Sequence, residues 1–479
     1  MYDIVVIGAG VVGAMVARTL SKYNLNICIL EKENDVAMGA TKANSAIVHA
    51  GFDANTGSLK AKLNVRGSQM METICDELGV KYQNNGSLVI GFHDEERQML
   101  HTLLDRGIQN GVADLRIVEQ GELKTLEPNI SEEAICALYA PTGAIVCPYE
   151  LTIAAIGNAM DNGADLKCNF KVCHINKIEE GYEIYAEGDC VRAKVIINCA
   201  GLYSDEIAKL AGDHSFDVHP RKGEYILLDK ECGHLVSHTI FRTPSKMGKG
   251  ILITPTVDGN LLFGPTSVDI QDKEDTNTTS DGFAEIINKA KESLRVVPNG
   301  KNITSFCGLR AVGSTGDFII KSHEKGFISA AGIESPGLSA SPAIAEFIVE
   351  MLAEQGIILE EKQDYNPKRI SMHYFCQASL EEKNRIIREN PAYGKIVCRC
   401  EHVTEGEILD AIRRNPKARD LDGVKRRTRA QMGRCQGGFC SPYITELLAR
   451  ELQIPYEEVT KFGGKSKVNV QQTKGGRIS

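Results

Sequence analysis

Nowhere in the 479 residues does an apolar run approach the roughly eighteen needed to cross a bilayer as a helix. A helical membrane span is therefore not expected. A basic leader is missing too: β-branched residues begin directly after Tyr2 and Asp3, so no secretory signal is expected. Positive charge is in deficit, with 55 Lys and Arg against 63 Asp and Glu and a formal net charge of −8, which argues against general affinity for nucleic acid. These absences point to a cytoplasmic protein, with membrane association through a partner left open. The length calls for two or three domains.

What is present begins at the first residues. Asp3 to Ile7 reads as a buried parallel strand, and Asn26 to Leu30 as a second. Between them Gly8, Gly10 and Gly13 fall in the G-x-G-x-x-G spacing and open an amphipathic helix. Gly8 suits the tight turn, Gly10 the close approach of a pyrophosphate, and Gly13 the packing of helix on strand. Glu31, at the end of the second strand, is an acceptor suited to ribose hydroxyls. Together they predict a dinucleotide site, and no second such motif follows.

The stretch 39–67 is rich in small residues and reads as a loop close to a ligand, holding His49 and ending in Ser58, a cap for a helix over 59–78. Alternating strands and helices follow. The spacing predicts helices over 94–111, 148–162 and 281–294, and strands over 86–92, 171–178, 223–228, 250–256 and 260–266. Near the end of this body, GFISAAG reads as a strand, the residues after it as a small-residue loop, and Pro342 to Leu352 as a helix.

Residues 1–365 resemble flavoprotein dehydrogenases and oxidases of the D-amino-acid-oxidase-like superfamily. The resemblance rests on the glycine motif with Glu31, on NSAIVHAG, NCAGLYSDEIAKLAG and RKGEY, and on GIESPGLSASPAIAEF. Within the superfamily the chain is similar to L-2-hydroxyglutarate oxidases and flavin-linked glycerol-3-phosphate dehydrogenases. The resemblance implies FAD, with Gly8, Gly10, Gly13 and Glu31 on its ADP half. Thr41, Asn44 and Ser45 would lie along the pyrophosphate and flavin, Gly201 would also touch the cofactor, and Gly332 with the loop Gly337, Leu338 and Ser339 would face the isoalloxazine. It further implies His49 and Arg310 as catalytic residues. The chain departs from the phosphate-gripping pattern: STGDFII (314–320) and GIESPG (332–337) carry Gly and Glu where cations are usual. A carboxylate substrate therefore stays open beside a phosphate. Arg221, Lys222 and Lys321 are spare cations whose default is solvated surface.

Fifteen cysteines, an odd number, do not suggest a disulfide framework in a chain without a signal. Eleven are scattered singly and read as small apolar residues. The last four form two close pairs, Cys398-x-Cys400 and Cys435-x4-Cys440, framed by predicted helices. Four such thiols in a reducing compartment imply a metal site. Zinc and [2Fe–2S] are the alternatives, and C-x-C suits structural zinc poorly. The pattern resembles the bacterioferritin-associated-ferredoxin-like [2Fe–2S] domain, here closed by C-x4-C. Twelve Lys and Arg against eight Asp and Glu make 395–451 basic, and the KRRTR run (425–429) reads by default as solvated.

The fold implied is α/β in the α+β sense: a Rossmann-like FAD-binding domain interleaved with a mainly antiparallel β substrate domain over 1–365, a polar connector over 366–392, a small helical iron–sulfur domain over 393–455 and a flexible tail over 456–479. The combination resembles the catalytic subunit of anaerobic-type glycerol-3-phosphate dehydrogenases. It implies FAD-dependent oxidation of a small anionic secondary alcohol, with glycerol 3-phosphate first and L-2-hydroxyglutarate second. Electrons would leave through [2Fe–2S] to a partner protein. The contrasting readings are a non-catalytic electron-transfer subunit, and a zinc-stabilised docking module on an oxidase that uses oxygen directly.

Overall fold

The computed structural model describes residues 1–244, 250–298 and 300–471. Its central strand is β1 (Tyr2–Ile7), fully buried at Ile4, Val5 and Val6. It is followed by helix α1 (Val11–Leu20) and strand β2 (Ile27–Leu30). Five strands run parallel in the order Phe327–Ala331, Asp189–Asn198, β1, β2 and Asp165–Lys167. Antiparallel hairpins extend the sheet at its edges. Continuous β-branched runs suit such strands because both faces are covered. One cover is a helical layer: α1, α2 (Leu59–Leu78), α3 (Pro148–Asp161) and α4 (Gly337–Glu354) share a core with the sheet.

Local chemistry sets these helices. Ser58 Oγ accepts from the Ala61 amide and Gly79 closes the far end of α2 at φ +64°, so the helix has the bounds its cap signals predict. Helix α4 begins at Gly337, five residues before the Pro342 start expected from sequence. A proline inside a helix removes the bond to the carbonyl four residues back. Here that carbonyl, on Leu338, accepts from Ser341 Oγ at 2.8 Å instead.

A nine-stranded, mainly antiparallel sheet forms the second layer among the described residues. Its long pair, Val218–Leu228 and Asn302–Gly313, sets Arg221 directly opposite Arg310. The carboxy-terminal module packs helices Glu405–Arg413, Leu421–Thr428 and Ser441–Leu452 around its own small core.

The polar segment 366–392 carries structure of its own. Asn366 O accepts from Asn158 and Asn162, Arg369 pairs with Asp161 and reaches Asn415 O, and helix Leu380–Glu389 adds Ile386 to a cluster with Phe375 and Tyr393. The tail is ordered at its start: Val459 is buried and Thr460 bridges to Lys467. Residues 472–479 of that expected flexible tail lie outside the described residues.

The KRRTR run is not solvated. Arg426 and Arg427 are buried against Asp35, which follows β2, at 2.6 and 2.7 Å. Arg429 pairs with Asp258 and Glu401. Sequence proximity hid this, because the counter-ion lies almost four hundred residues away. Burial raises the Asp35 carboxyl, but the two guanidinium groups outweigh it and bring the pKa down to about 2.

Candidate active site

The three glycines of the first turn have separate causes. Gly8 sits at φ +104°, and a Cβ there would lie 2.4 Å from Cys199 O on the neighbouring strand end. A Cβ on Gly13 would lie 2.0 Å from Gly8 O, so only hydrogen lets α1 sit against the turn. At Gly10 a Cβ would meet only Thr41 Oγ1, at 3.3 Å, and otherwise enter a cavity. Gly8 and Gly13 thus make the turn, and Gly10 leaves room for a ligand beside the amino end of a helix.

That cavity is about 1670 Å³, well beyond the roughly 300–1,000 Å³ of ordinary ligand pockets. It lies at the carboxyl ends of the parallel strands, where open α/β sheets bind ligands. Glu31 lines it with a fixed carboxylate: Oε2 accepts from the Ala9 amide at 2.8 Å and Oε1 from Glu33 at 3.0 Å. Burial raises its pKa. Thr41 Oγ1 accepts from the Val11 amide at 3.0 Å. Asn44 holds the loop together, donating to Thr41 O and accepting from the Ala46 amide. Ser45 Oγ lies 3.3 Å from the Tyr225 hydroxyl.

The same cavity reaches His49 and Arg310 at its other end. Arg310 donates from Nη2 to Thr266 O at 2.6 Å, while its buried Nε has no hydrogen-bond partner among the described residues. A guanidinium on a cavity wall is suited to an anion. His49 Nε2 lies 3.3 Å from Ser335 Oγ, with the Phe241 ring beside it. Arg221 also lines the cavity, bound to Asp269 at 2.6 Å.

Gly201, Gly337 and Leu338 line the cavity as well, the last two as the opening of α4 rather than a loop. Gly332 and Ser339 do not line it. Gly332, at φ +61°, packs on Gly313, and Ser339 Oγ is buried 2.6 Å from Asn64 Oδ1, where it ties α4 to α2. Lys222 is buried with Asp275 and Lys321 binds Asp213, both away from the cavity. One cation that sequence reading missed is Lys60, in the first turn of α2, with Nζ 2.9 Å from Glu334 and both lining the cavity. Only its place just after the Ser58 cap, which turns the first helical turn toward the loop, was a signal.

The four late cysteines come together as two pairs. Cys400 Sγ lies 3.6 Å from Cys435 Sγ, and the buried free thiols Cys398 and Cys440 lie close enough to shift each other's titration. The Cys440 thiol, with the amides of Gln431, Glu401 and Cys400, holds Cys398 at about 6, and Cys440 itself is raised. Burial opposes ionisation of Cys435, but Cys400 and the amides of Gly437, Phe439 and Gly438 outweigh it and lower its pKa. No group of three or more His, Cys, Asp or Glu among the described residues is arranged around one metal ion. Two cysteine pairs, each with one thiol lowered and one raised, offer two sulfurs to each metal of a two-metal cluster.

Residues 3–351 match the DAO family, FAD dependent oxidoreductases. The chain belongs to this family. Residues 396–450 of this flavoenzyme match the BFD-like [2Fe-2S] binding domain. It is 48% identical over 463 residues, 96% of each chain, to a glycerol 3-phosphate dehydrogenase of Caloramator mitchellensis. It is 33% identical over 284 residues, 56% of this chain and 61% of the other, to a mitochondrial L-2-hydroxyglutarate dehydrogenase of Bos taurus. Among solved structures, the FAD-bound L-alpha-glycerophosphate oxidase of Mycoplasma pneumoniae superposes with TM-score 0.73 at 30% identity, over 77% of this chain and 98% of that one. The flavoenzyme's cofactors are thus FAD and a [2Fe–2S] cluster, and the chemistry of its residues is compatible with both: Gly10 leaves room in the cavity, Glu31 presents a fixed acceptor, and four cysteines stand in two pairs. No described helix is long and apolar enough to cross a membrane.

Proposed function

We propose that this flavoenzyme oxidises sn-glycerol 3-phosphate to dihydroxyacetone phosphate and passes the electrons to a partner protein. The observation that carries this is the 48% identity to the Caloramator glycerol 3-phosphate dehydrogenase along 96% of both chains, which takes in the cysteine module as well as the flavin domain. When bound, FAD supplies a hydride acceptor and the [2Fe–2S] centre a one-electron exit. Gly8, Gly10, Gly13, Glu31, Thr41, Asn44 and Ser45 would hold the first of these groups, and Cys398, Cys400, Cys435 and Cys440 the second.

The chain's own part is binding and proton transfer. As the carbinol C–H leaves as hydride, the hydroxyl proton must go to a base, and the His49 imidazole on the cavity wall takes it. Arg310, a guanidinium on the cavity wall, supplies the positive charge for a substrate anion. Lys60 adds positive charge, half-neutralised by Glu334. That same Glu334 favours a second reading, oxidation of a 2-hydroxy acid such as L-2-hydroxyglutarate, because it stands in the segment where a phosphate-gripping cation is expected. The fifteen free cysteines support a reducing, cytoplasmic setting.

The test is the rate of anaerobic flavin reduction with each compound in wild type and Arg310→Ala. Reduction by glycerol 3-phosphate, slowed at least tenfold in the variant, supports the proposal. Reduction by L-2-hydroxyglutarate alone transfers it to the second reading. Equal rates in wild type and variant would remove Arg310 from the substrate site, and reduction by neither compound would make the chain an electron relay.

A further inference from the structure

A carboxy-terminal aromatic reaches into the flavin domain's cavity. Phe462 is 53% exposed and lines the same cavity as Gly10 and Glu31, although it lies outside the family's matched residues. An aromatic ring left open to water at a ligand cavity is a poor core residue and a good stacking surface.

The segment around it is built to hold that ring in place. Thr460 and Lys467 pair across a tight loop, and the Lys461 amide donates to Ser466 O at 2.7 Å. The Phe462 amide donates to Ser466 Oγ at 2.9 Å, and the Gly463 amide to Thr460 Oγ1 at 3.1 Å. The loop is fastened to helix Leu421–Thr428 by the Leu421 and Asp422 amides, which donate to Thr460 O and Lys461 O, and by the ion pair of Lys461 with Asp422. It also rests on the flavin domain. Gly463, at φ +85°, lies so close to Asn34 that a Cβ there would come within 2.4 Å of Asn34 Cγ, and Asn34 in turn bonds Asp420.

Asn34 is three residues past Glu31, the acceptor for a ribose in this fingerprint. The loop therefore sits at the adenosine end of the cavity, far along it from His49 and Arg310. Resting on the assignment of FAD to this cavity, we propose that Phe462 is a cofactor-binding residue whose ring packs on the adenine of FAD. The iron–sulfur module's tail thereby completes the flavin site, and FAD binding is linked to docking of the module.

The experiment is equilibrium titration of the full-length chain with FAD, ADP and FMN, in wild type, Phe462→Ala, Phe462→Tyr and Gly463→Ala. Loss of a base-stacking aromatic weakens binding by about tenfold or more. Phe462→Ala should therefore weaken FAD and ADP by the same factor and leave FMN, which lacks adenine, unchanged. Phe462→Tyr should restore both, and Gly463→Ala, which forces the loop off Asn34, should reproduce the alanine pattern. Unchanged FAD and ADP affinities, or an equal loss for FMN, would overturn the proposal. Wild-type binding of FMN as tight as FAD would instead overturn the FAD assignment on which it rests.

Discussion

Replacing Asp35 by Asn isolates one of the contacts that fasten the iron–sulfur module to the flavin domain. Asp35 accepts from Arg427 through both oxygens, at 2.7 and 2.8 Å, and from Arg426 at 2.6 Å, all deeply buried. Two routes give the size of the loss. The fall of the carboxyl from 3.8 to about 2 corresponds to about 2–3 kcal/mol at 1.36 kcal/mol per pKa unit. Removing one partner of a buried pair costs about 3–5 kcal/mol, because the remaining charge is stranded. Asp35→Asn should accordingly lose about 2–5 kcal/mol, read as a lower urea midpoint for flavin release, with the same iron content before denaturation. Since the folded pKa is depressed, this contribution is whole above the unfolded value near 4 and fades as the pH falls toward 2. The variant's deficit should therefore shrink in acid. In the Asp35→Asn/Arg427→Met double variant the loss should be smaller than the sum of the single losses. An unchanged midpoint, or strict additivity, would refute the argument.

Other outcomes follow from the same geometry. Gly8→Ala should fail to retain FAD and lose stability, since its Cβ meets Cys199 O, whereas Gly10→Ala should stay folded and lose FAD affinity; FAD content and thermal melts separate the two. His49→Gln should keep FAD but slow flavin reduction by about 10²–10⁴-fold, the range of lost general base catalysis, in anaerobic stopped flow. Cys398→Ser should lose iron and acid-labile sulfide while substrate still reduces the flavin, and turnover with a protein acceptor should fall; iron retained at wild-type level would contradict the assigned ligands.

Much of the flavin domain is legible in the sequence because its determinants are local. The glycine spacing, the Ser58 cap and the β-branched runs each act over a few residues, and α1, α2 and the parallel strands stand where those signals put them. What the sequence hides acts across distance. The KRRTR run is buried because Asp35 lies opposite it, and Lys60 reaches the cavity because Glu334 draws it there. Helix α4 starts early because one serine hydroxyl stands in for the bond that Pro342 cannot make. Gly332 and Ser339 lie near the cofactor loop in sequence but support it from behind. The four cysteines are legible as a set, and their division into a 400–435 and a 398–440 pair is a result of folding.

The central claim is that one chain oxidises glycerol 3-phosphate at its flavin and empties the electrons through its cysteine module. Anaerobic addition of excess sn-glycerol 3-phosphate to the purified holoprotein, with the flavin and iron–sulfur absorbances followed together, tests it most directly. The account predicts bleaching of both, with dihydroxyacetone phosphate formed in step. A flavin that stays oxidised, or one that bleaches while an intact cluster never changes, would contradict it.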